Sequence, residues 1–273
     1  MLALLVALWA PRTALSQTPS PLEEWQYSSG IDLQKLFEPD VPKWRVVLGA
    51  AAEARPLYEG AQRTLVQGGP VINIRYRDLA FASVGEGVGV NLLHGTNYRA
   101  GVTLGYDLGR RVSDDYTDLH GLGDIGRAPV VKVFASYAVS ASFPLVLRGN
   151  VRQIVGGADG VLADLGAYLP LPGSSKKLIL FAGPSITYAD HRYMQKEFGV
   201  TAAQASASGY PRYEPSAGAT AAGLGFSATA FVTDHWLVNA DAAVNQLLGS
   251  ARDSPITRRS LQRALAVSIN YMW

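Results

Sequence analysis

The chain of 273 residues contains no cysteine, which excludes disulfide bonds, thiolate nucleophiles and thiolate metal ligands together. Charge is also scarce, because charged residues make up 17% of the chain and soluble domains typically have about 25%. Lysine and arginine form no run and the formal net charge is only +2. The sequence therefore predicts no nucleic-acid partner.

Long hydrophobic runs are missing as well. After the N-terminus no stretch approaches the roughly 18 apolar residues of a membrane helix, which excludes helical spanning. Residues 1–16 contain an apolar region, end in a small-residue exit at Ala14-Leu15-Ser16 and predict a secretory signal, although a basic start is lacking. Residues 17–42 mix proline, serine and charge without a period, and predict a periplasmic leader.

The remainder, residues 43–273, is a succession of segments in which large apolar residues alternate with small or polar ones. In "LQRALAVSINYMW", Leu265, Ile269 and Trp273 share one face of an extended strand. A soluble sandwich would give the same alternation. Segments of about 10 to 14 residues, with aromatic rings at their ends, favour strands that cross a bilayer. The sequence predicts an all-β, antiparallel, up-and-down transmembrane β-barrel in the outer membrane of a Gram-negative bacterium.

The strand count depends on one glycine-rich stretch. A plain count gives eleven strands, an odd number that bacterial single-chain barrels avoid. "GEG" at residues 85–87 divides "LAFASVGEGVGVNLL" in two and predicts twelve strands, with ten as the alternative. Long connections at 110–126, 191–216 and 249–259 are predicted to lie outside the cell, and short ones near 139–141, 171–176 and 233–235 in the periplasm.

Charged residues on the small-residue faces predict a polar network in the lumen. Buried charge must be paired or wetted, so a mixed-sign network that fills the bore is expected, and a selective pore is the alternative. Clear aqueous channels belong to barrels of about 16 to 18 strands, which favours a filled or weakly conducting lumen. The predicted lumen residues are Arg45, Glu53, Arg75, Arg99, Asp107, Lys132, Arg148, Arg152, Asp164 and Asp241.

One group of loop residues has the types that a catalytic site needs. In "YADHRY" Asp190 precedes His191, and Ser206 or Ser208 would complete a Ser/His/Asp site. Nothing in the spacing demands that site, and a solvated surface pair is the favoured interpretation. The sequence therefore predicts no catalytic residue.

The long loops hold two further groups. Asp114, Asp115, Asp118 and Asp124 offer oxygens to a hard cation, but calcium-loop spacing is absent and a solvated acidic loop is predicted. With no P-loop or zinc signature, no metal and no cofactor are expected. The segment after Asp190 predicts a short helix around 201–207 and four exposed rings, which either pack on one another or contact a ligand or host molecule: Tyr193, Phe198, Tyr210 and Tyr213. Packing on one another is favoured.

Several stretches resemble the MipA/OmpV family of outer-membrane proteins. They are "RPLYEG" from Arg55, "GEGVGVNLL" from Gly85, "GLGDI" from Gly121, "GGADGVLADLG" from Gly156, "DSPIT" from Asp253 and, most specific, "YMQKEFGVTAAQA" within the block from Gly183. The resemblance implies an outer-membrane barrel. It implies more loosely a scaffold that joins an MltA-type lytic transglycosylase to a bifunctional murein synthase, whereas OmpV-like members are linked to host adhesion and immune recognition.

The function expected from residues and resemblance is a non-enzymatic scaffold or binding protein of the cell envelope, embedded in outer-membrane lipid. A small channel for polar solutes and a surface adhesin or antigen are the alternatives. Glu23, Glu24, Trp25 and Tyr27 in the leader are candidate contacts for murein enzymes.

Overall fold

The computed structural model describes residues 42–140 and 143–273. The predicted signal and the leader up to residue 41 lie outside the described residues. The strands are β1 (Trp44–Pro56), β2 (Thr64–Tyr76), β3 (Ala80–Ser83), β4 (Gly87–His94), β5 (Tyr98–Asp107), β6 (Ala128–Ala138), β7 (Val146–Ile154), β8 (Gly160–Pro170), β9 (Leu178–Ala189), β10 (Gly218–Phe231), β11 (Trp236–Leu247) and β12 (Leu261–Met272). The helices are a 3-10 turn at Val112–Asp114, α1 (Tyr116–Leu119), α2 (His191–Glu197), α3 (Ala202–Ser208) and α4 (Gly249–Arg252).

The strands form one closed antiparallel barrel in sequence order. β12 closes it by pairing with β1, from Met272 opposite Val47 to Leu265 opposite Ala54. The prediction of twelve strands is confirmed and the alternative of ten is wrong, because the chain turns between β3 and β4 at residues 84–86.

The alternation along each strand separates an apolar outside from a polar inside. Val66, Leu104 and Leu265 point outward and are 74%, 66% and 54% exposed, whereas Arg99 and Thr103 point inward and are buried. A belt of exposed aliphatic side chains around a polar interior is the inverse of a soluble barrel and is typical of a membrane-spanning one. No helix among the described residues is long and apolar enough to cross a membrane.

The two ends of the barrel differ in length and structure. The connections 57–63, 108–127, 155–159, 190–217 and 248–260 share one end, here called the long-loop end, which carries the four α-helices of the described residues. The 84–86 turn points the same way but lies near the middle of the barrel. The other, short-turn end carries rings that touch in pairs. The Trp44 and Tyr76 ring centroids are 4.7 Å apart, and those of Tyr271 and Trp273 are 4.4 Å apart. The asymmetry of long and short connections agrees with the predicted one.

Candidate functional site in the barrel lumen

The ten predicted lumen residues all lie on inward faces, and they divide into three groups along the barrel axis. Arg75, Arg99, Lys132 and Arg148 are buried near the middle. Arg152 and Asp164 are buried towards the long-loop end, where Glu53 and Asp107 are half-buried. Arg45, half-buried, and Asp241, buried, line a cavity towards the short-turn end.

The middle group is organised by Glu86, which the sequence interpretation did not select. Its carboxylate lies 3.0 Å from the Arg75 guanidinium and 3.5 Å from that of Arg148, and all three side chains are buried. Lys132 and Arg99 lie near enough to act electrostatically on the same carboxylate. Glu86 is therefore shared among four cations. We call these five residues the Glu86 cluster.

The β3–β4 turn aims Glu86 into the lumen. Its backbone N–H donates to the Ser83 hydroxyl at 2.9 Å. The next residue, Gly87, has a φ of +82°, and a β-carbon there would stand 2.2 Å from the Leu104 carbonyl oxygen, so the turn requires glycine. Two rings support the cations, with Arg75 5.2 Å from the Phe81 centroid and Arg148 5.8 Å from that of Phe134.

A chamber of about 140 Å³ lies between the Glu86 cluster and the long loops. Arg152 pairs with Asp164 at 3.3 Å, and Thr187 donates to the same carboxylate at 2.8 Å. On the opposite side Arg110 donates to the Glu197 carbonyl oxygen at 2.7 Å and lies 3.6 Å from its carboxylate. We call this space the loop-side chamber.

Two acids of this chamber belong to the loops and have shifted pKa values. Burial raises the pKa of Glu59 to about 7, and Arg152 lowers it only partly. Burial likewise raises the pKa of Glu197 to about 7, against the opposing effect of Arg110. The Tyr193 side chain hydrogen-bonds Glu59, and desolvation raises the pKa of that phenol further above its usual value. Both carboxyls therefore exchange protons near neutral pH.

The cavity at the short-turn end measures about 110 Å³ and shares no lining residue with the loop-side chamber. Amide and hydroxyl side chains such as Asn73, Asn239 and Ser268 line it beside Arg45 and Asp241. The lumen thus contains two separate small spaces along its axis, and Arg75 of the Glu86 cluster lines the one at the short-turn end.

Helix α2 occupies the mouth of the barrel, which corrects one expectation. Tyr193 and Phe198 were expected to be exposed, but they are 7% and 0% exposed and pack with inward residues of the strands such as Val130 and Leu162. Asp190 caps this helix by accepting from the Tyr193 N–H at 2.9 Å. Tyr193 and Phe198 therefore fill part of the barrel mouth rather than face solvent.

The other two rings are half-buried and join loops to one another. The Tyr210 hydroxyl donates to the Asp118 carbonyl oxygen at 3.2 Å, and the Tyr213 hydroxyl donates to that of Ser250 at 2.8 Å. Tyr210 and Tyr213 pack against a cluster of residues from four loops, namely Tyr58, Leu119, Leu122, Val200 and Ile256. The expected helix is present as α3, with Thr201 as its N-cap. We call these packed loops the cap.

The candidate Ser/His/Asp residues are not brought together. His191 Nδ1 lies 3.0 Å from the Pro215 carbonyl oxygen, and the Asp190 carboxylate is used as the helix cap. The hydroxyls of Ser206 and Ser208 donate to carbonyl oxygens one helical turn back, at 3.1 and 2.7 Å. No catalytic triad forms from these residues.

The four acidic residues of the 108–127 loop point to different partners. Asp115 pairs with Arg63 at 3.1 Å, Asp118 with Arg258 at 3.3 Å and Asp114 with Arg111 at 2.8 Å. Asp124 accepts the Val112 N–H. In the described ranges no group of three histidine, aspartate or glutamate side chains is placed to hold a metal ion.

Sequence reasoning missed Glu59, Glu86, Arg110 and Glu197. One signal was available, since the predicted lumen set has six cations and four carboxylates, and buried charge needs compensation. This surplus of positive charge on the strands indicates that further acidic residues, which lie in the turns, compensate it.

A closed twelve-stranded barrel with an apolar belt and a charged interior defines an outer-membrane β-barrel of Gram-negative bacteria. The chain belongs to the family described as MltA-interacting protein MipA, whose model matches residues 48–273. The family resemblance and the outer-membrane location predicted from sequence are thereby confirmed.

Solved structures give more distant likenesses. The CymD monoaromatic hydrocarbon channel is 8% identical with a TM-score of 0.43, and the match covers 95% of this chain and 98% of that one. The NanC porin is 9% identical with a TM-score of 0.40, covering 84% and 98%. OmpT of Vibrio cholerae is 9% identical with a TM-score of 0.37, covering 86% and 100%. No curated protein matches the chain significantly in sequence.

Proposed function

We propose that this barrel is a non-enzymatic binding protein of the cell envelope, whose partner is a lytic transglycosylase held at the short-turn end in the periplasm. The observation that carries the proposal is the filled lumen. The Glu86 cluster occupies its middle and α2 occupies its mouth, so the surface rather than a pore is available for function. The family name, MltA-interacting protein, supports a transglycosylase as partner.

The short-turn end suits a partner that lies beneath the membrane. β1 begins at this end with Trp44, and we propose that the leader, residues 17–42, contacts the partner. The rim also carries Lys43, Arg77, Lys176 and Lys177, which add positive charge at the membrane surface. We further propose that a bifunctional murein synthase joins the same assembly through the transglycosylase.

The test is crosslinking in cells, purification of the barrel in detergent and identification of bound proteins by mass spectrometry. We expect a lytic transglycosylase in proportion to the barrel, with a synthase at lower yield. Deletion of residues 20–38 should remove both proteins. Lys176→Ser with Lys177→Ser should weaken recovery, and Lys196→Ser, on α2 at the opposite end, is the matched control.

Two results would contradict the proposal. One is recovery of the barrel without murein enzymes after efficient crosslinking. The other is steady single-channel conductance of the purified protein in planar bilayers, since a conducting lumen would favour a channel for polar solutes instead.

A further inference from the structure

The cavity at the short-turn end, here called the short-turn cavity, is lined by polar side chains in register on three neighbouring strands. Thr229 of β10 lies opposite Asn239 of β11, and Asn239 lies opposite Ser268 of β12. Asn73 of β2 adds a further amide to the lining. Amide and hydroxyl groups both donate and accept, so this wall offers hydrogen bonds in both directions.

Two buried side chains of the lining carry an acceptor atom without a donor. Asp241 is 8% exposed and Asn270 is 3% exposed. Ser227 hydrogen-bonds the Asp241 carboxylate, but Asp241 Oδ1 accepts no hydrogen bond from the described residues. Asn270 donates from Nδ2 to the Ser268 hydroxyl at 2.8 Å, and its Oδ1 likewise accepts none from that part of the chain. Because a buried acceptor is costly when it is unpaired, the occupant of this cavity must bring hydrogen-bond donors.

The charged residues of the lining do not select an ion. They are Arg45, Arg75 and Asp241, and Arg75 forms an ion pair with Glu86 at 3.0 Å. An acceptor-only anion would face the Asp241 carboxylate and would bring no donor to the two acceptor atoms, whereas a cation would face the two guanidinium groups. A neutral ligand that carries several O–H groups meets both requirements.

Apolar side chains complete the lining. Ile179, Phe231 and Leu237 lie in the same cavity, and Phe231 packs against the buried cluster that contains Ile179. Ligand sites typically combine apolar surface with a few placed polar groups. A sugar ring has hydroxyl groups at its edge and C–H groups on its faces, so it matches a lining of this kind.

The short-turn cavity opens at the rim of the barrel. Arg45, Phe231 and Met272 line it and lie at or next to the ends of β1, β10 and β12. All three side chains are half-buried, which places the entrance between them. The cavity measures about 110 Å³, and since one water needs about 10–15 Å³ it has space for about 7 to 11 waters. That space suits one sugar ring with its hydroxyl groups.

We propose that the short-turn cavity binds one neutral sugar unit in the pyranose form, which enters from the short-turn end. Its hydroxyl groups donate to Asp241 Oδ1 and Asn270 Oδ1 and accept from the Asn239 amide, while a C–H face packs on Phe231. This site goes beyond the proposed scaffold function and does not depend on it, because no contact with another protein enters the argument.

The test uses the full chain in phosphatidylcholine nanodiscs and saturation-transfer NMR of the ligand, with the signal of empty nanodiscs subtracted. The probes are the methyl glycosides of glucose, galactose, mannose and N-acetylglucosamine. We expect at least one of them to bind saturably with a Kd of about 1 mM, an ordinary affinity for a ligand of this size. Tetrahydropyran, the same ring without hydroxyl groups, should give no saturable signal, since it cannot donate to the two acceptor atoms.

A trisaccharide that ends in the bound sugar distinguishes two sources of the ligand. It should bind as well as the single ring if the cavity takes the end of a glycan chain, and more weakly if the cavity takes free sugars.

Asn239→Leu removes the central amide of the wall with little change in volume and should weaken binding about tenfold, which corresponds to one good polar contact. Asn245→Leu is the matched control, because Asn245 lies on the same strand but lines the loop-side chamber. Heat-modifiable migration on gels confirms that each variant is folded. Saturable binding of none of the four glycosides would mean that the cavity holds water only and would overturn the proposal. Equal weakening by the two variants, or tetrahydropyran binding as tightly as the glycosides, would overturn it as well.

Discussion

Neutralising Glu86 removes a carboxylate that the four cations of its cluster share. Glu86→Gln keeps the shape of the side chain but leaves Arg75 and Arg148 buried without the ion pairs they make at 3.0 and 3.5 Å. Breaking a buried pair by removing one partner costs about 3–5 kcal/mol, since the remaining charge stays desolvated. We expect the free energy of unfolding to fall by about that amount.

The assay is guanidinium unfolding in lipid vesicles, followed by the fluorescence of the rim tryptophans. Glu214→Gln is the matched control, because Glu214 pairs with Arg212 in solvent and exposed pairs contribute about 0–1 kcal/mol. In the double variant Glu86→Gln, Arg148→Met, part of the stability should return as one buried charge is removed. Equal losses in Glu86→Gln and Glu214→Gln would refute the view that Glu86 neutralises the lumen.

Three further outcomes follow from the chamber, the wall and the cap. Stability should decrease as pH rises from about 4.5 through about 7, because the pKa values of Glu59 and Glu197 are raised to about 7 and the folded state binds their protons more tightly; Glu59→Gln should flatten this profile. Gly183→Ala should destabilise the barrel by about 1–3 kcal/mol, since its β-carbon would lie 1.8 Å from a backbone oxygen, and denaturant unfolding measures this. Phe198→Ala should loosen the cap and accelerate proteolysis within residues 190–217.

Each of these predictions has its own control. Glu214→Gln should leave the pH profile unchanged. At Gly69 a β-carbon meets nothing within 4 Å, so Gly69→Ala should cost far less than Gly183→Ala. Arg192→Ala, on the exposed side of α2, should leave cap proteolysis as it is. A flat pH profile in the unmodified protein, equal effects of the two glycine changes, or an unchanged cleavage rate in Phe198→Ala would each contradict the corresponding interpretation.

The sequence predicts the barrel well because the pattern that marks each strand is local in the chain. Alternation with period two determines which face of each strand meets lipid, and a side chain such as Leu265 faces outward regardless of its neighbours across the barrel. The division of one segment into β3 and β4 at "GEG" could be predicted, because glycines on both sides of one residue permit a tight turn.

What the sequence could not predict depends on contacts distant along the chain. Phe198 is apolar in a long loop, and only the packing of α2 into the mouth shows that it is buried. Glu86 stands in a turn where a charged residue is ordinarily solvated, and its burial results from the shortness of β3 and β4. The early end of the pairing between β2 and β3 has the same origin, because periodicity marks strands but not where their pairing ends.

The closure of the barrel has a consequence for folding. Trp273 donates its N–H to the Val46 carbonyl, so the seam joins the first and the last strand of the barrel. Contacts of such high sequence separation form slowly, and this one requires β12 to be present. A chain truncated within β12 would present two open strand edges, those of β1 and β11, to any other polypeptide in the periplasm. An intact β12 is therefore needed both to close the barrel and to leave no strand edge open to aggregation.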